Sequence, residues 1–70
     1  MKLRDLLNVM LCNTMVEVVF KKSMDSFVGK CEFILKDCDS NILDSVVWYF
    51  SNSFALVGSD IIDCIKIVIL

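Results

Sequence analysis

Four cysteines are the residues of this sequence that could most readily carry chemistry. They are Cys12, Cys31, Cys38 and Cys64, separated by 19, 7 and 26 residues. The CxxC spacing that is typical of zinc sites does not occur. Several of these thiolates, with an Asp as a further ligand, could still form a structural zinc site that staples a small domain. The other interpretation is that the thiols pack as small hydrophobic side chains. The sequence leaves both interpretations open.

Histidine is absent from the sequence, which removes most enzyme chemistry. Without it there is no Ser-His or Cys-His dyad and no HExxH metal site. The one cysteine with a basic neighbour is Cys31, beside Lys30, and in a strand these two side chains point to opposite faces. Two glycines in the whole chain are too few for a phosphate-binding loop. We therefore expect a protein that is not an enzyme.

The apolar content of the chain is higher than one small core requires. Of 70 residues 57% are apolar, and a domain of this size buries only about 60% of its unfolded surface. The longest charge-free stretch, residues 45–59, is shorter than the roughly 20 apolar residues of a membrane-spanning helix. Arg4 and Asp5 also interrupt any signal-peptide core. We expect a cytoplasmic protein with reduced thiols, whose surplus apolar residues contact a partner or a second copy.

The spacing of apolar residues predicts a helix followed by strands. Leu3, Leu6, Leu7, Met10 and Leu11 recur on one helical face. From residue 14 the period changes to two, which predicts a strand up to residue 20. A second alternating strand is predicted over residues 27–36, with Cys31 on its apolar face, and it forms a hairpin with the first strand.

Residues 41–54 fit a helix as well as a strand. We favour a helical turn at 41–44, a strand at 46–51 and a loop or short helix at 51–60. Residues 61–70 predict a last strand that is apolar on both faces, which suits the middle of a sheet or an interface. The fold class is therefore α+β: a single domain of residues 1–70, with an N-terminal helix packed on a mostly antiparallel sheet of about four strands.

Aromatic and acidic residues of the C-terminal half are the candidate contact residues. Residues 37–65 contain five Asp and no Lys or Arg, a charge of −5 that leaves +3 for the rest. These acids either are ordinary solvated carboxylates or meet a basic surface on a partner. The aromatic residues either fill the core or act as binding anchors. The candidate partner-binding residues are Trp48, Tyr49, Asp37, Asp39, Asp44 and Asp60. A net charge of −2 argues against direct binding of nucleic acid.

A resemblance covers the first 30 or so residues and the last strand. The opening MKLRDLL, the strand VEVVF that begins at Val16, Gly29 and the final aliphatic strand resemble short proteins encoded by prophages and mobile elements of Firmicutes. Some of those are anti-CRISPR proteins, which inhibit Cas9-type effectors by binding a protein domain and blocking guide or target-DNA engagement. The resemblance implies an inhibitor that acts in the host bacterial cytoplasm, with no residue-level motif carried over.

Three expectations about function follow from these observations. The first is a non-enzymatic, phage-type inhibitor that binds a host defence nuclease, in the manner of an anti-CRISPR protein acting on a Cas9-type effector. The second is a self-associating structural module, with residues 61–70 at a homodimer interface. The third is a small zinc-stapled domain in which some or all of the four cysteines bind the metal.

Overall fold

Three short helices lie on one face of a four-stranded sheet. The computed structural model describes residues 1–70. The elements in chain order are α1 (Leu3–Asn8), β1 (Met15–Phe20), β2 (Ser26–Lys30), α2 (Cys31–Asp37), α3 (Ser40–Leu43), β3 (Val47–Val57) and β4 (Asp60–Ile69). This is the α+β fold that the sequence predicts. None of the three helices is long and apolar enough to cross a membrane.

The sheet has the strand order β2-β1-β4-β3. β1 pairs antiparallel with β2, and β3 pairs antiparallel with β4. The two central strands, β1 and β4, run parallel. Between them the chain forms β2, the helices α2 and α3, and β3. Of the two positions predicted for the last strand, the middle of a sheet or an interface, the structure shows the first. The edges are β2 on one side and β3 on the other.

The core lies between the sheet and the helices. Val16 and Val18 of β1 lie beside Ile67 and Ile69 of β4, and all four are fully buried. The helices cover them with buried leucine and isoleucine side chains, and these residues form one cluster with Cys31. The helix-side members of the cluster are Leu3, Leu6, Leu7, Ile34 and Leu43.

The first helix is shorter than predicted. It ends at Asn8, and Leu11, predicted on its apolar face, is 77% exposed. The reason lies in the next helix, α2, whose first amides have no partner within the helix. The Cys31 and Glu32 amides donate to the carbonyls of Thr14 and Cys12, at 2.8 and 2.9 Å. The segment between Asn8 and β1 therefore forms turns beside the start of α2.

The prediction of a strand over residues 27–36 is wrong in its second half. The strand β2 ends at Lys30, and the helix α2 follows directly. Cys31 and Ile34 are three residues apart and both are buried, which is the spacing of a helical face. Glu32 in the first turn and Lys36 in the last turn suit the helix dipole. Cys31 is buried as predicted, but it lies on a helix.

The prediction of a loop or short helix at 51–60 is also wrong. The strand β3 continues through this segment to Val57, and a two-residue turn, Gly58 and Ser59, connects it to β4. Gly58 has φ +63°, the left-handed conformation that such hairpin turns require. The helical turn before β3 is confirmed as α3. The polar run at residues 51–53 does not end the strand, because β3 is an edge strand whose side chains reach solvent.

Candidate functional site

The hairpin of β3 and β4 extends beyond the rest of the sheet. β1 pairs with β4 only from Ile65 to Ile69, so residues 53–64 form a two-stranded arm. We call this segment the hairpin arm. A two-stranded ribbon has little stability of its own in water and gains it by packing against something else. Within the arm, β3 and β4 therefore pair only with each other.

Large apolar side chains cover one side of this hairpin. Phe50, Phe54, Leu56 and Ile61 are 53%, 71%, 72% and 73% exposed. Phe50 pairs with Ile67, and Leu56 pairs with Ile61, so these side chains share the sheet face on which the helices lie. We call the four residues the apolar face of the hairpin. The face continues the hydrophobic core outward to a region that no helix covers.

An irregularity at the start of β3 exposes two more aromatic side chains. The register with β4 shifts between Val47 and Tyr49, which places Trp48 in a bulge. Trp48 is 54% exposed and Tyr49 is 44% exposed, with their rings edge to face at 5.0 Å. The Lys21 ammonium lies 3.9 Å from the centre of the Trp48 ring, a cation–π contact. Both predicted anchors are therefore accessible and held in place.

The predicted acidic contact residues are all exposed but have different surroundings. Asp60 lies beside the turn at the tip of the hairpin arm. Asp44 forms an ion pair with Arg4 at 3.1 Å. The Asp39 carboxylate accepts a hydrogen bond from the Asn41 amide at 3.0 Å and so caps α3. Asp37 ends α2. Asp60 is thus the one acid of this set that belongs to the hairpin.

A second acid on the hairpin was not among the predicted contact residues. Asp63 pairs with Phe54 across the arm, so it shares the apolar face of the hairpin. It is exposed, as is Asp60. The arm therefore combines apolar side chains with two carboxylates and contains no Lys or Arg. A complementary partner would offer an apolar surface with basic residues around it.

No known protein family, curated protein or solved structure matches this chain.

A shallow groove between α2, α3 and β2 is a second apolar depression. Phe27, Phe33 and Ile42 line it, together with Asp37 and Asp39. Phe33 is half exposed. The groove gathers two of the predicted acidic residues, but its apolar side chains are less exposed than those of the apolar face of the hairpin, since Phe27 and Ile42 are partly buried. The hairpin is for this reason the stronger candidate surface.

The four cysteines are spread over the fold. Cys31 lies in the core on the helix side, where its thiol donates to the Leu7 carbonyl at 3.1 Å. Cys64 pairs with Ser53 on the opposite face of the sheet. Cys12 is exposed and Cys38 is partly buried. No three Cys, Asp or Glu side chains are grouped closely enough to hold a metal ion. Zinc binding stays a prediction, which metal analysis of protein purified without added zinc tests.

The thiols of three cysteines are kept protonated by their surroundings. Burial raises the pKa of Cys31, and the neighbouring Cys12 and Glu32 add to the rise. Burial also raises the pKa of Cys64, with Glu17 and Asp63 adding to it. Burial also raises the pKa of Cys38. A backbone hydrogen bond from Asp39 lowers this pKa, but its effect is smaller than that of burial. Protonated thiols are poor nucleophiles and poor metal ligands.

The hairpin residues that the sequence analysis did not name among the partner-binding residues are Phe54, Leu56 and Ile61, although Ile61 lies in the segment 61–70 that it predicts at a homodimer interface. Two signals could have found them. Phe54 and Leu56 alternate with smaller side chains, as in a strand, and Gly58-Ser59 is a two-residue hairpin turn. Together these signals predict one long strand in the charge-free stretch, residues 45–59, up to the turn. The apolar residues 46 and 48–50 are exposed, whereas residues 67–69 of the last strand, which the sequence predicts at a homodimer interface, are buried in the sheet.

Proposed function

We propose that this chain is a non-enzymatic protein-binding module whose contact surface is the β3–β4 hairpin. The observation that carries the proposal is the apolar face of the hairpin, four large side chains that the fold leaves more than half exposed. Removing apolar surface from water is favourable by about 25 cal/mol per Å², from which the entropic costs of association are subtracted. Rigid aromatic side chains at the centre of such a surface are typical anchors of protein complexes.

The charge of the hairpin indicates the chemistry of the partner. Asp60 and Asp63 lie on the arm, and no Lys or Arg occurs between residues 37 and 65. Acidic residues around an apolar centre favour a basic protein surface and disfavour the phosphate backbone of nucleic acid. Proteins that bind DNA or RNA carry such basic surfaces. A nucleic-acid enzyme is therefore the partner class with the best complementarity.

Within that class we propose an inhibitor of a host defence nuclease, a Cas9-type effector, acting in the bacterial cytoplasm. The support is the resemblance of the opening residues and the last strand to short prophage proteins, together with the acidic, apolar contact surface. A stoichiometric inhibitor needs no catalytic residue. It needs a surface that competes with the guide or target DNA for a basic domain.

The test is a pull-down with a purified Cas9-type effector, together with a DNA-cleavage assay. We expect the wild-type chain to bind and to block cleavage at stoichiometric amounts. The double variant Phe54→Thr/Leu56→Thr should bind at least about tenfold more weakly, because two anchors are lost. The control is Phe33→Thr, which removes a half-exposed apolar side chain from α2 and should leave binding unchanged.

Two results would reject parts of this proposal. Unchanged cleavage in the presence of an excess of folded wild-type chain would rule out that nuclease as the target. Loss of binding in Phe33→Thr but not in the hairpin variant would move the contact surface to the α2 groove.

A further inference from the structure

The outer edge of β3 is open along most of its length. At its start the edge is closed, because the Val47 amide donates to the Met1 carbonyl at 2.8 Å. From Phe50 to Val57 no strand pairs with this edge, since β3 is the last strand of the sheet. Open strand edges pair readily with other strands unless charges, Pro or bulges prevent it.

The turn geometry identifies which backbone groups point outward. A two-residue turn makes the residues that flank it, Val57 and Asp60, a hydrogen-bonded pair. Going back along β3, the odd-numbered residues therefore bond to β4 and the even-numbered residues direct their amides and carbonyls outward. The outward groups of the open edge belong to Phe50, Asn52, Phe54 and Leu56.

The side chains of β3 are arranged almost symmetrically about Asn52. The residues on either side of Asn52 are serine, and the next residue in each direction is phenylalanine. Further out, tyrosine corresponds to alanine, tryptophan to leucine, and valine to valine. The full strand is VWYFSNSFALV. Two such strands, running antiparallel with Asn52 opposite its own copy, place Phe50 opposite Phe54 and Ser51 opposite Ser53. Like residue types therefore meet on both sides of a two-fold axis.

The hydrogen-bond pattern fits this register. With Asn52 opposite Asn52 of a second copy, the outward groups of Phe50 face those of Phe54 in the other strand. Asn52 then exchanges amide and carbonyl bonds with its own copy, as a hydrogen-bonded antiparallel pair does. In a register shifted by one residue, the outward amides and carbonyls of one strand would face amides and carbonyls of the other strand that already bond to its own β4.

The charge of the two edge strands also favours β3. No charged residue occurs in residues 45–59, so two copies of β3 meet without repulsion. The other edge, β2, has five residues, ends at Lys30 and follows Lys21 and Lys22, which protects it from pairing. Pairing of β3 with β2 of another copy would be head-to-tail and would not close, whereas β3 with β3 closes as a dimer.

We propose that two copies of this chain pair antiparallel through β3, about a two-fold axis at Asn52, and form one continuous eight-stranded sheet. Phe50 and Phe54 of both copies then form one apolar surface, twice that of a single chain. This inference does not depend on the proposed function, since the sheet edge and the sheet face are different surfaces.

The test is sedimentation equilibrium of the wild-type chain and of Asn52 variants under reducing conditions. We expect a dimer for the wild type. Both Asn52→Lys and Asn52→Asp place like charges opposite each other at the axis and should raise the dimer Kd at least about tenfold. An equimolar mixture of the two variants should dimerise again, because Lys then faces Asp. Ser26→Lys, an exposed position on the other edge strand, should dimerise as the wild type does.

The mixture distinguishes charge repulsion at the axis from loss of folding as the cause of weaker dimerisation. Circular dichroism of each variant checks the fold, and a mixture that regains the dimer cannot be explained by damaged chains. A wild type that stays monomeric at millimolar concentration would overturn the proposal. A dimer that both Asn52 variants retain, or that Ser26→Lys abolishes, would also overturn it, because the interface would then lie elsewhere.

Discussion

Cys31 and Cys64 lie on opposite faces of the sheet, and both are almost completely buried. Neither thiol is next to a group that would favour the thiolate strongly. Cys31 donates to the Leu7 carbonyl, and Cys64 has Glu17 and Asp63 nearby, with Lys66 as the one opposing charge. At the scale of the residue these cysteines are therefore packing groups with protonated thiols.

The burial of these thiols predicts a loss of stability at alkaline pH. The pKa of Cys31, Cys38 and Cys64 is raised above the ordinary thiol value of 9.0, so the folded chain holds these protons to higher pH than the unfolded chain. Their contribution to stability is complete below that value and is lost as the pH rises through the raised values. Urea unfolding at pH 7.5 and pH 10, under reducing conditions, should give a lower free energy of unfolding at pH 10.

The control for this prediction is Cys64→Ala. The variant lacks one thiol with a raised pKa, so its free energy of unfolding should fall less between the two pH values than that of the wild type. An equal or larger fall in the variant would show that the buried thiols do not cause the pH dependence.

The ion pair between Arg4 and Asp44 should contribute little. Arg4 donates to the Asp44 carboxylate at 3.1 and 3.2 Å, but both side chains are more than 40% exposed. Exposed pairs typically contribute about 0.2–1 kcal/mol and are screened by salt. A double-mutant cycle with Arg4→Ala and Asp44→Ala should give a coupling energy in that range, smaller in 1 M salt. A coupling above about 2 kcal/mol would contradict the exposure of the pair.

At the scale of the element, the two glycines make a matched test of the hairpin turn. Gly58 has φ +63° and an added Cβ would meet no atom within 4 Å, so Gly58→Ala tests backbone conformation alone. We expect it to cost about 1 kcal/mol of unfolding free energy. Gly29 has no such backbone requirement, and an added Cβ would make ordinary contact with Ile34 at 3.6 Å. Gly29→Ala should therefore change the free energy by less, and the reverse order of the two effects would contradict the turn geometry.

Local patterns predicted some elements and failed for others, for physical reasons that differ. The apolar spacing of α1 and the alternation in β1 are local, and both elements formed. In residues 31–36 the pattern of Cys31, Phe33 and Leu35 fits a strand, and that of Cys31 and Ile34 fits a helix. Tertiary contacts favour the helix, because the carbonyls of Cys12 and Thr14 accept hydrogen bonds from the first amides of α2. No window of the sequence contains that information.

The same limit applies to the candidate surface. Trp48 and Tyr49 were predicted as contact residues from their type, and the structure leaves them exposed. For Phe54 and Leu56 the sequence predicts a loop or short helix over residues 51–60. Their exposure depends on the length of β1, which pairs with β4 only as far as Ile65 and leaves the hairpin arm uncovered. That length is a property of the sheet, and the strand's own sequence does not contain it.

At the scale of the whole molecule, the apolar content divides into two parts. One part is the core cluster between the sheet and the three helices. The other is the apolar face of the hairpin together with Trp48 and Tyr49, which the fold leaves in contact with solvent. We infer that this second part does not hold the fold together and is available for contact with a partner or a second copy.

The most direct measurement of this claim is urea unfolding of Phe54→Thr/Leu56→Thr beside Leu7→Ala, at a concentration where the chain is monomeric. Thr keeps the strand preference of the hairpin, so we predict that each of its two substitutions costs no more than about 1 kcal/mol. Leu7 is fully buried, and Leu7→Ala should cost about 2–5 kcal/mol. A double hairpin variant whose loss in unfolding free energy is twice that of Leu7→Ala would contradict this prediction, because the exposed face would then belong to the core.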